Sequence, residues 1–130
     1  MYSKKLLELF REPHNVGILQ SASGVGVYED EKTHEIFKLY IKIENETVVD
    51  ASFKVYSGVA GIAVMSILTD MLKNKSLEDA KKLEDKQLLE ELGSLEAGKR
   101  YLLEDALNSV KLAVEDYEKK LEKESKKKKK

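Results

Sequence analysis

Residues 37–55, FKLYIKIENETVVDASFKV, alternate apolar and polar side chains on both sides of a short polar stretch. Alternation with a period of two is typical of β-strands that bury one face. The polar stretch at residues 44–47, ENET, is short enough to join two such strands as an antiparallel hairpin. The positions predicted to face the core are Phe37, Leu39, Ile41, Ile43, Val49, Ala51, Phe53 and Val55. A further short strand is predicted to follow the GVG sequence at residues 24–26, which gives a three-stranded antiparallel sheet.

Helical patterns flank these strands on both sides. Residues 58–73, GVAGIAVMSILTDMLK, are apolar in almost every direction around a helix, so we expect a central, buried helix. Residues 2–11 are predicted to form an amphipathic helix that Ser3 caps and that Pro13 brings to an end. The helices are therefore expected to cover one face of the sheet.

Three more helices are predicted in the second half of the chain. Two short ones should begin at the caps Ser76 and Asp85. A long C-terminal helix is expected over about residues 99–122. Its predicted buried stripe consists of Leu103, Ala106, Leu107, Val110, Ala113, Val114, Tyr117 and Leu121. The predicted fold class is α+β, with a three-stranded antiparallel sheet and helices packed on one face.

Composition places the chain among folded globular proteins. Its 130 residues are 42% hydrophobic and 36% charged, which suits one domain with one core. No run approaches the roughly 18 apolar residues that a membrane helix needs, and the first residues lack the apolar stretch of a signal peptide. We therefore expect a cytoplasmic protein with one domain at residues 1–121 and a charged, Lys-rich tail at residues 122–130.

Charge is distributed unevenly along the chain. The last five residues are all lysine, whereas the remainder carries 18 basic and 24 acidic side chains, so a body of charge −6 precedes a tail of charge +5. A run of lysines can attract nucleic acid or anionic lipid. Because the body is acidic, we interpret the run as a solvated tail and expect no nucleic-acid or membrane partner.

Four segments in combination resemble a known family. They are YSKKLLELFREPHNVG at residues 2–17, the stretch from GVGVYEDEKTHEIFKLYIKI to ASFKVY at residues 24–56, GIAVMSILTDMLKNKSLEDA at residues 61–80, and KRYLLEDALNSVKLAVEDYEKK at residues 99–120. Together they are similar to the IscU/NifU N-terminal domain family, whose members are scaffolds for the assembly of iron–sulfur clusters. The resemblance spans residues 1–121 and implies a SufE/NifU-like fold with an N-terminal helix and a long C-terminal helix.

The family holds its cluster with three cysteine thiolates, but this chain contains no cysteine. The resemblance places Thr33, Gly58 and Leu102 at the three cysteine positions. It places Glu35 where the family has aspartate and Tyr101 where it has histidine. Threonine, glycine and leucine offer no soft donor to iron or zinc. We therefore expect the protein to bind no cluster and to carry no cofactor.

The expected function is that of a non-catalytic partner or regulator in iron–sulfur cluster assembly. The resemblance implies docking on a cysteine desulfurase or on a sister scaffold, through the N-terminal helix and the loops around Thr33, Gly58 and Leu102. The residues predicted to contribute to this surface are Tyr2, Leu6, Phe10, Lys99 and Arg100. No catalytic residue is predicted, since Ser57 has no evident partners for a nucleophilic triad.

Two other functions stay open from the sequence. One is a small-ligand pocket between Val59, Tyr101 and His34. The other is a hard-metal site at His34 and Glu35 with help from neighbouring acids. For Leu102, three interpretations remain: it fills the former cluster pocket as core, it is merely the first turn of a helix, or it belongs to an exposed apolar patch that binds a partner.

Overall fold

Three antiparallel strands form a meander in the order β1-β2-β3 in the computed structural model, which describes residues 2–128. The predicted α+β fold class is confirmed, with a three-stranded antiparallel sheet and helices that include a long C-terminal one. The elements are α1 (Lys4–Arg11), β1 (Gly24–Glu29), β2 (Ile36–Glu44), β3 (Thr47–Tyr56), α2 (Val59–Leu72), α3 (Leu77–Lys81), α4 (Asp85–Leu92), a 3-10 turn (Ala97–Lys99) and α5 (Tyr101–Lys128).

The hairpin between β2 and β3 closes with a two-residue loop. Asn45 and Glu46 have φ angles of 52° and 61°, and the flanking residues Glu44 and Thr47 are paired. Two successive residues with positive φ are the mark of a type I′ turn, whose twist matches that of the strands. The predicted polar turn is therefore confirmed.

A β-bulge in this hairpin changes which valine is buried. Lys42 pairs with Asp50 and Ile43 pairs with Val48, so Val49 is one residue more than the partner strand can match. The register shift turns Val48 into the core, at 0% exposure, and leaves Val49 37% exposed. The prediction that Val49 faces the core was wrong because strict alternation does not continue through a bulge.

The core lies between the sheet and helices α2 and α5. Phe37, Leu39 and Ile41 of β2 are buried on the face towards these helices, and α2 is buried along most of its length as predicted. Strand β1 approaches α5 so closely that a Cβ atom at Gly26 would overlap with the backbone of Ser109 and Ala113. The glycines of the GVG sequence therefore lie within β1 and permit its contact with α5.

Helix α5 runs beyond the core. Its residues Leu103, Ala106, Val110, Ala113 and Val114 are buried as predicted. Leu121 is 47% exposed, and every side chain from residue 118 to 126 is exposed. The burial predicted for Leu121 was wrong because the helical pattern continues where there is no sheet left to cover it. The helix continues through Lys128, so the predicted tail is helical as far as it is described; residues 129 and 130, like Met1, lie outside the described part.

The helix caps follow the sequence with one correction. The Ser3 hydroxyl accepts a hydrogen bond from the Leu6 amide at 3.1 Å, and Ser76 caps α3 in the same way. At α4 the cap is Glu84, not the predicted Asp85. Glu84 forms a reciprocal capping box with Gln87, whose side-chain oxygen accepts from the Glu84 amide at 2.9 Å.

Residues 13–17, which we call the anchor loop, tie the chain after α1 to helix α2. His14 Nδ1 lies 2.6 Å from Asp70 Oδ2, and the Asn15 side-chain amide donates to Asp70 Oδ1 at 2.8 Å and to the Thr69 hydroxyl at 2.9 Å. The His14 amide donates to the Ser66 hydroxyl at 3.2 Å. His14 thus fastens the anchor loop to α2 through both its side chain and its backbone amide.

Candidate functional site

Three separate segments of the chain meet at one end of the sheet. Glu35 immediately precedes β2, Ser57 immediately follows β3, and Tyr101 begins α5. Because β2 and β3 are antiparallel and Ile36 pairs with Tyr56, residues 35 and 57 come side by side. We call residues 33–35, 57–58 and 101–102 the tip.

The carboxylate of Glu35 joins these segments. The Ser57 hydroxyl donates to Glu35 Oε2, and the Tyr101 hydroxyl donates to Glu35 Oε1. The Glu35 amide donates to the Thr33 hydroxyl at 3.2 Å. Each oxygen of the carboxylate therefore has a protein donor, and strand, loop and helix are linked through one side chain.

The hydrogen bonds also set the charge state of the tip. Burial raises the pKa of Glu35, but the hydrogen bonds from Ser57 and Tyr101 and the charge of Lys99 outweigh it, so the pKa lies below its usual value. Burial and the bond to Glu35 raise the pKa of Tyr101 to about 12. At neutral pH the tip therefore holds a carboxylate and a neutral phenol, which is the pairing that their hydrogen bond requires.

The remaining tip residues differ in exposure. Thr33 and Gly58 are exposed, and a Cβ atom built at Gly58 would meet nothing within 4 Å. His34 is also exposed, adopts a φ of 63°, and places Nδ1 3.0 Å from Glu29 Oε2. Leu102 is 1% exposed and belongs to the main core. Burial rules out the interpretation of Leu102 as part of an exposed apolar patch.

The residues predicted for partner docking are only partly accessible. Leu6 is fully buried, so it lies in the core and not on a surface open to a partner. Tyr2 and Lys99 are half-buried, with Tyr2 packed against the core. Phe10 is 42% exposed, and Arg100 is exposed while its Nε donates to the Leu95 carbonyl at 3.1 Å.

The two alternative functions gain no support from the geometry. Among residues 2–128, no group of three or more His, Cys, Asp or Glu side chains could hold a metal ion. Glu35 is instead bonded to Ser57 and Tyr101, while His34 pairs with Glu29. A groove of about 450 Å³ lies between α3 and α5, lined by residues such as Leu83, Leu107 and Val110, and not between Val59, Tyr101 and His34.

One buried acid beside the tip was missed by the sequence analysis. Asp105 is 4% exposed, and its Oδ2 atom has no hydrogen-bond partner. Burial raises the pKa of Asp105 to about 7, and Asp30, in the turn between β1 and β2, contributes to the shift. The signal in the sequence was spacing, since Asp105 follows Leu102 by three residues and so shares its face of the helix. Ser57 was considered only as a nucleophile, and its bond to Glu35 was also missed.

Comparisons with known proteins agree with this architecture of sheet and helices. The family described as the NifU-like N terminal domain matches residues 1–124, and the chain belongs to that family. The chain is 36% identical to the iron-sulfur cluster assembly scaffold protein IscU of Aquifex aeolicus, over 89% of this chain and 75% of that protein. It is 34% identical to the IscU scaffold protein of Rickettsia prowazekii, over 93% of this chain and 95% of that protein.

Solved structures show the same fold at lower sequence identity. An N-terminal NifU-like protein from Brucella abortus, described as nitrogen-fixing, superposes with a TM-score of 0.65 at 18% identity, covering 91% of this chain and 94% of that one. A protein of Fervidobacterium islandicum described as an iron-sulfur cluster assembly scaffold for the SUF system gives a TM-score of 0.71 at 11% identity, covering 87% and 96%. Within residues 2–128, no helix is long and apolar enough to cross a membrane.

Proposed function

We propose that this protein is a cytoplasmic member of its family that binds no cluster and acts as a partner or regulator in iron–sulfur cluster assembly. It would dock on a cysteine desulfurase or on a sister scaffold and compete with, or complement, a scaffold that does hold a cluster. The family membership and the relatives named as assembly scaffolds support the pathway. The chemistry of the tip supports the loss of the cluster.

The proposal rests on one observation, which is that hydrogen bonds to Glu35 hold the tip together in a chain that has no thiols. A cluster or a structural zinc needs thiolates, and the chain has none. The one carboxylate at the tip has both oxygens engaged by the hydroxyls of Ser57 and Tyr101. The Leu102 side chain is buried in the core. These side chains link the three segments of the tip without a metal.

A docking role is supported by exposed side chains on α1 and beside the tip. Phe10 is an exposed aromatic side chain on α1, and Arg100 is an exposed cation beside the tip. Aromatic and arginine side chains are the residues most enriched at the centres of protein interfaces. We therefore place the docking surface on Phe10, Arg100 and the exposed tip residues Thr33 and Gly58, without the buried Leu6.

Cluster reconstitution tests the first half of the proposal. Incubation of the purified protein with iron and sulfide should give a colourless protein without the visible absorbance of an iron–sulfur cluster. A sister scaffold that retains three cysteines serves as the positive control. Stoichiometric iron and sulfide bound to this chain would refute the proposal.

Binding to a cysteine desulfurase tests the second half. The protein should bind the desulfurase of its own cell in calorimetry and should compete with a cysteine-containing scaffold. Phe10→Asp and Arg100→Glu should each weaken binding at least about tenfold if they lie at the interface. Leu121→Asp is the matched control, since Leu121 is equally exposed but lies about 30 Å along α5 from Tyr101. Equal loss in all three variants, or no binding by the parent, would contradict the docking role.

A further inference from the structure

Helices α2 and α5 pack on one face of the sheet, and we call the opposite face the outer face. Gly24 and Gly26 of β1 lie against α5, and Phe37 of β2 is buried in the core, so the residues that alternate with them point the other way. The pairing of the strands assigns to the outer face Val25, Val27, Ile36, Lys38, Tyr40, Ser52, Lys54 and Tyr56. Val27 is 52% exposed and Tyr56 is 64% exposed, so this face presents apolar and aromatic surface to solvent.

Two positive charges lie side by side in the middle of the outer face. Lys38 of β2 pairs directly with Lys54 of β3, and we call these two residues the lysine pair. The Cβ atoms of such cross-strand partners lie about 5 Å apart, and like charges at these positions destabilise a sheet. Lys38 Nζ lies 5.4 Å from the centroid of the Tyr40 ring, but among residues 2–128 neither lysine forms an ion pair. The chain therefore maintains an unfavourable charge pair for which it supplies no carboxylate.

Other charged residues beside the lysine pair do have partners of opposite charge. Lys42 follows Lys38 on the same face of β2, and its Nζ lies 3.5 Å from Glu44 Oε1. Glu29, at the end of β1, has its Oε2 atom 3.0 Å from His34 Nδ1. The side chains that flank the lysine pair along the strands and across the row are uncharged, since they are apolar, aromatic or serine. The lysine pair is thus a local positive site within a mainly uncharged surface.

We propose that the outer face binds an acidic segment of a partner protein. Carboxylates of that segment contact Lys38 and Lys54 and remove their mutual repulsion, while its apolar side chains cover Val27 and Tyr56. Charge complementarity of this kind fixes the orientation of a partner and excludes partners with positive charge at the same place. The surface shares no residue with the docking surface proposed above for a desulfurase or sister scaffold, and it does not rest on that role.

The charge of the whole chain favours a protein segment over a nucleic acid. Lysines beside an exposed tyrosine also suit a single-stranded nucleic acid, which binds through its phosphates and stacked bases. The chain without its last five lysines carries 18 basic and 24 acidic side chains, so a long polyanion is repelled by most of it. A short segment with a few carboxylates senses mainly the lysine pair, because exposed charges are screened over about 8 Å at physiological ionic strength.

A peptide titration of the whole protein tests the proposal. The probe is a synthetic peptide in which glutamate alternates with leucine, and binding is followed by the ¹⁵N NMR shifts of the protein. The shifts should cluster at the amides of Val27, Lys38, Lys54 and Tyr56. The same peptide with glutamine in place of glutamate should bind at least about tenfold more weakly, and added salt should weaken the binding of the glutamate peptide.

The decisive variant is Lys54→Glu, which places an acid opposite Lys38. It should weaken binding of the glutamate peptide at least about tenfold, whereas the melting temperature should not fall, because a repulsive pair becomes an attractive one. Lys42→Glu is the matched control, with the same charge change on the same face. It should keep most of the peptide binding but lower the melting temperature, since it removes the contact with Glu44 and places an acid opposite Asp50.

Four results would overturn the proposal. They are equal binding of the glutamate and glutamine peptides, equal loss of binding in Lys54→Glu and Lys42→Glu, shifts that cluster away from the outer face, and no binding of the glutamate peptide to the parent. A single-stranded oligothymidylate serves as the competing probe. If it binds the outer face more tightly than the glutamate peptide does, the surface is a nucleic-acid site and not a protein docking site.

Discussion

The anchor loop and the tip use the same device, one carboxylate that receives two hydrogen bonds from other segments. In the anchor loop, Asp70 on α2 contacts His14 and Asn15 through its two oxygens. At the tip, Glu35 receives the hydroxyls of Ser57 and Tyr101. At both places burial alone raises the pKa of the acid, and hydrogen bonds outweigh burial and lower it.

The two regions differ in how they relate to the family pattern. The anchor loop keeps the PHNVG segment on which part of the resemblance rests, whereas the tip carries none of the cysteines that the resemblance predicts there. The anchor loop fastens the chain to α2. The resemblance predicts that the tip corresponds to the cluster site of cysteine-containing members, and in this chain the tip contains the same kind of carboxylate link that the anchor loop uses.

The largest effect is expected when cysteine thiolates are introduced at the tip. The triple variant Thr33→Cys, Gly58→Cys, Leu102→Cys should bind one zinc ion per chain, since three thiolates would lie near Glu35. Free zinc at about 1,000 times its Kd should stabilise the fold by about 4 kcal/mol. Gly58 has room for the new side chain. X-ray absorption should show about three sulfurs near 2.3 Å from zinc.

The double variant Thr33→Cys, Gly58→Cys is the control for this test, because it offers two thiolates and keeps Leu102 in the core. It should bind zinc far more weakly than the triple variant. Equal zinc binding by the triple variant and the parent would show that the three segments do not meet as cluster ligands do. The residue assignments taken from the family resemblance would then fail even though the fold is right.

The next prediction tests whether the tip residue Leu102 belongs to the hydrophobic core. Leu102→Ala should lower the free energy of unfolding by about 3 kcal/mol, because it removes a large side chain that is 1% exposed. Urea denaturation monitored by circular dichroism measures the change. Leu121→Ala is the matched control and should cost less than about 0.5 kcal/mol, apart from any change in helix propensity. A cost at Leu102 as small as that at Leu121 would place it outside the core.

Most of the fold could be predicted from the sequence, but little of the tip could. Strand alternation and helical spacing depend on local chemistry, so β2, α2 and the buried stripe of α5 could be predicted. The exposure of Val49 and Leu121 could not be predicted. The exposure of Val49 depends on a β-bulge, and that of Leu121 depends on where the sheet ends. The link from Glu35 to Ser57 and Tyr101 joins residues up to 66 positions apart. No local pattern encodes such a contact, and only the family resemblance placed these segments together.

A smaller effect is expected in the anchor loop. Asn15→Ala removes side-chain bonds to Thr69 and Asp70 and places alanine at a φ of 62°. We expect a loss of about 2 kcal/mol in the free energy of unfolding. Asn74→Ala is the control, since Asn74 has a φ of 72° but no side-chain hydrogen bond within the described residues. A loss no greater than that of the control would mean that the backbone conformation, and not the link to α2, accounts for the effect.

The smallest effect concerns the hydroxyl of Tyr101, and it completes the comparison at the tip. Tyr101→Phe removes one of the two donors to Glu35 and should cost about 1 kcal/mol near pH 7. The pKa of Glu35 lies below its usual value, so the stability it contributes is present above that value and is lost as the pH falls through the folded pKa. The difference between parent and variant should therefore shrink as the pH falls below the usual pKa of a glutamate. Tyr117→Phe is the control, because Tyr117 is half-buried on the same helix and its hydroxyl has no hydrogen bond among the residues described. If both variants lose the same stability at every pH, Glu35 is not held by Tyr101, and the tip lacks the joint that the anchor loop has.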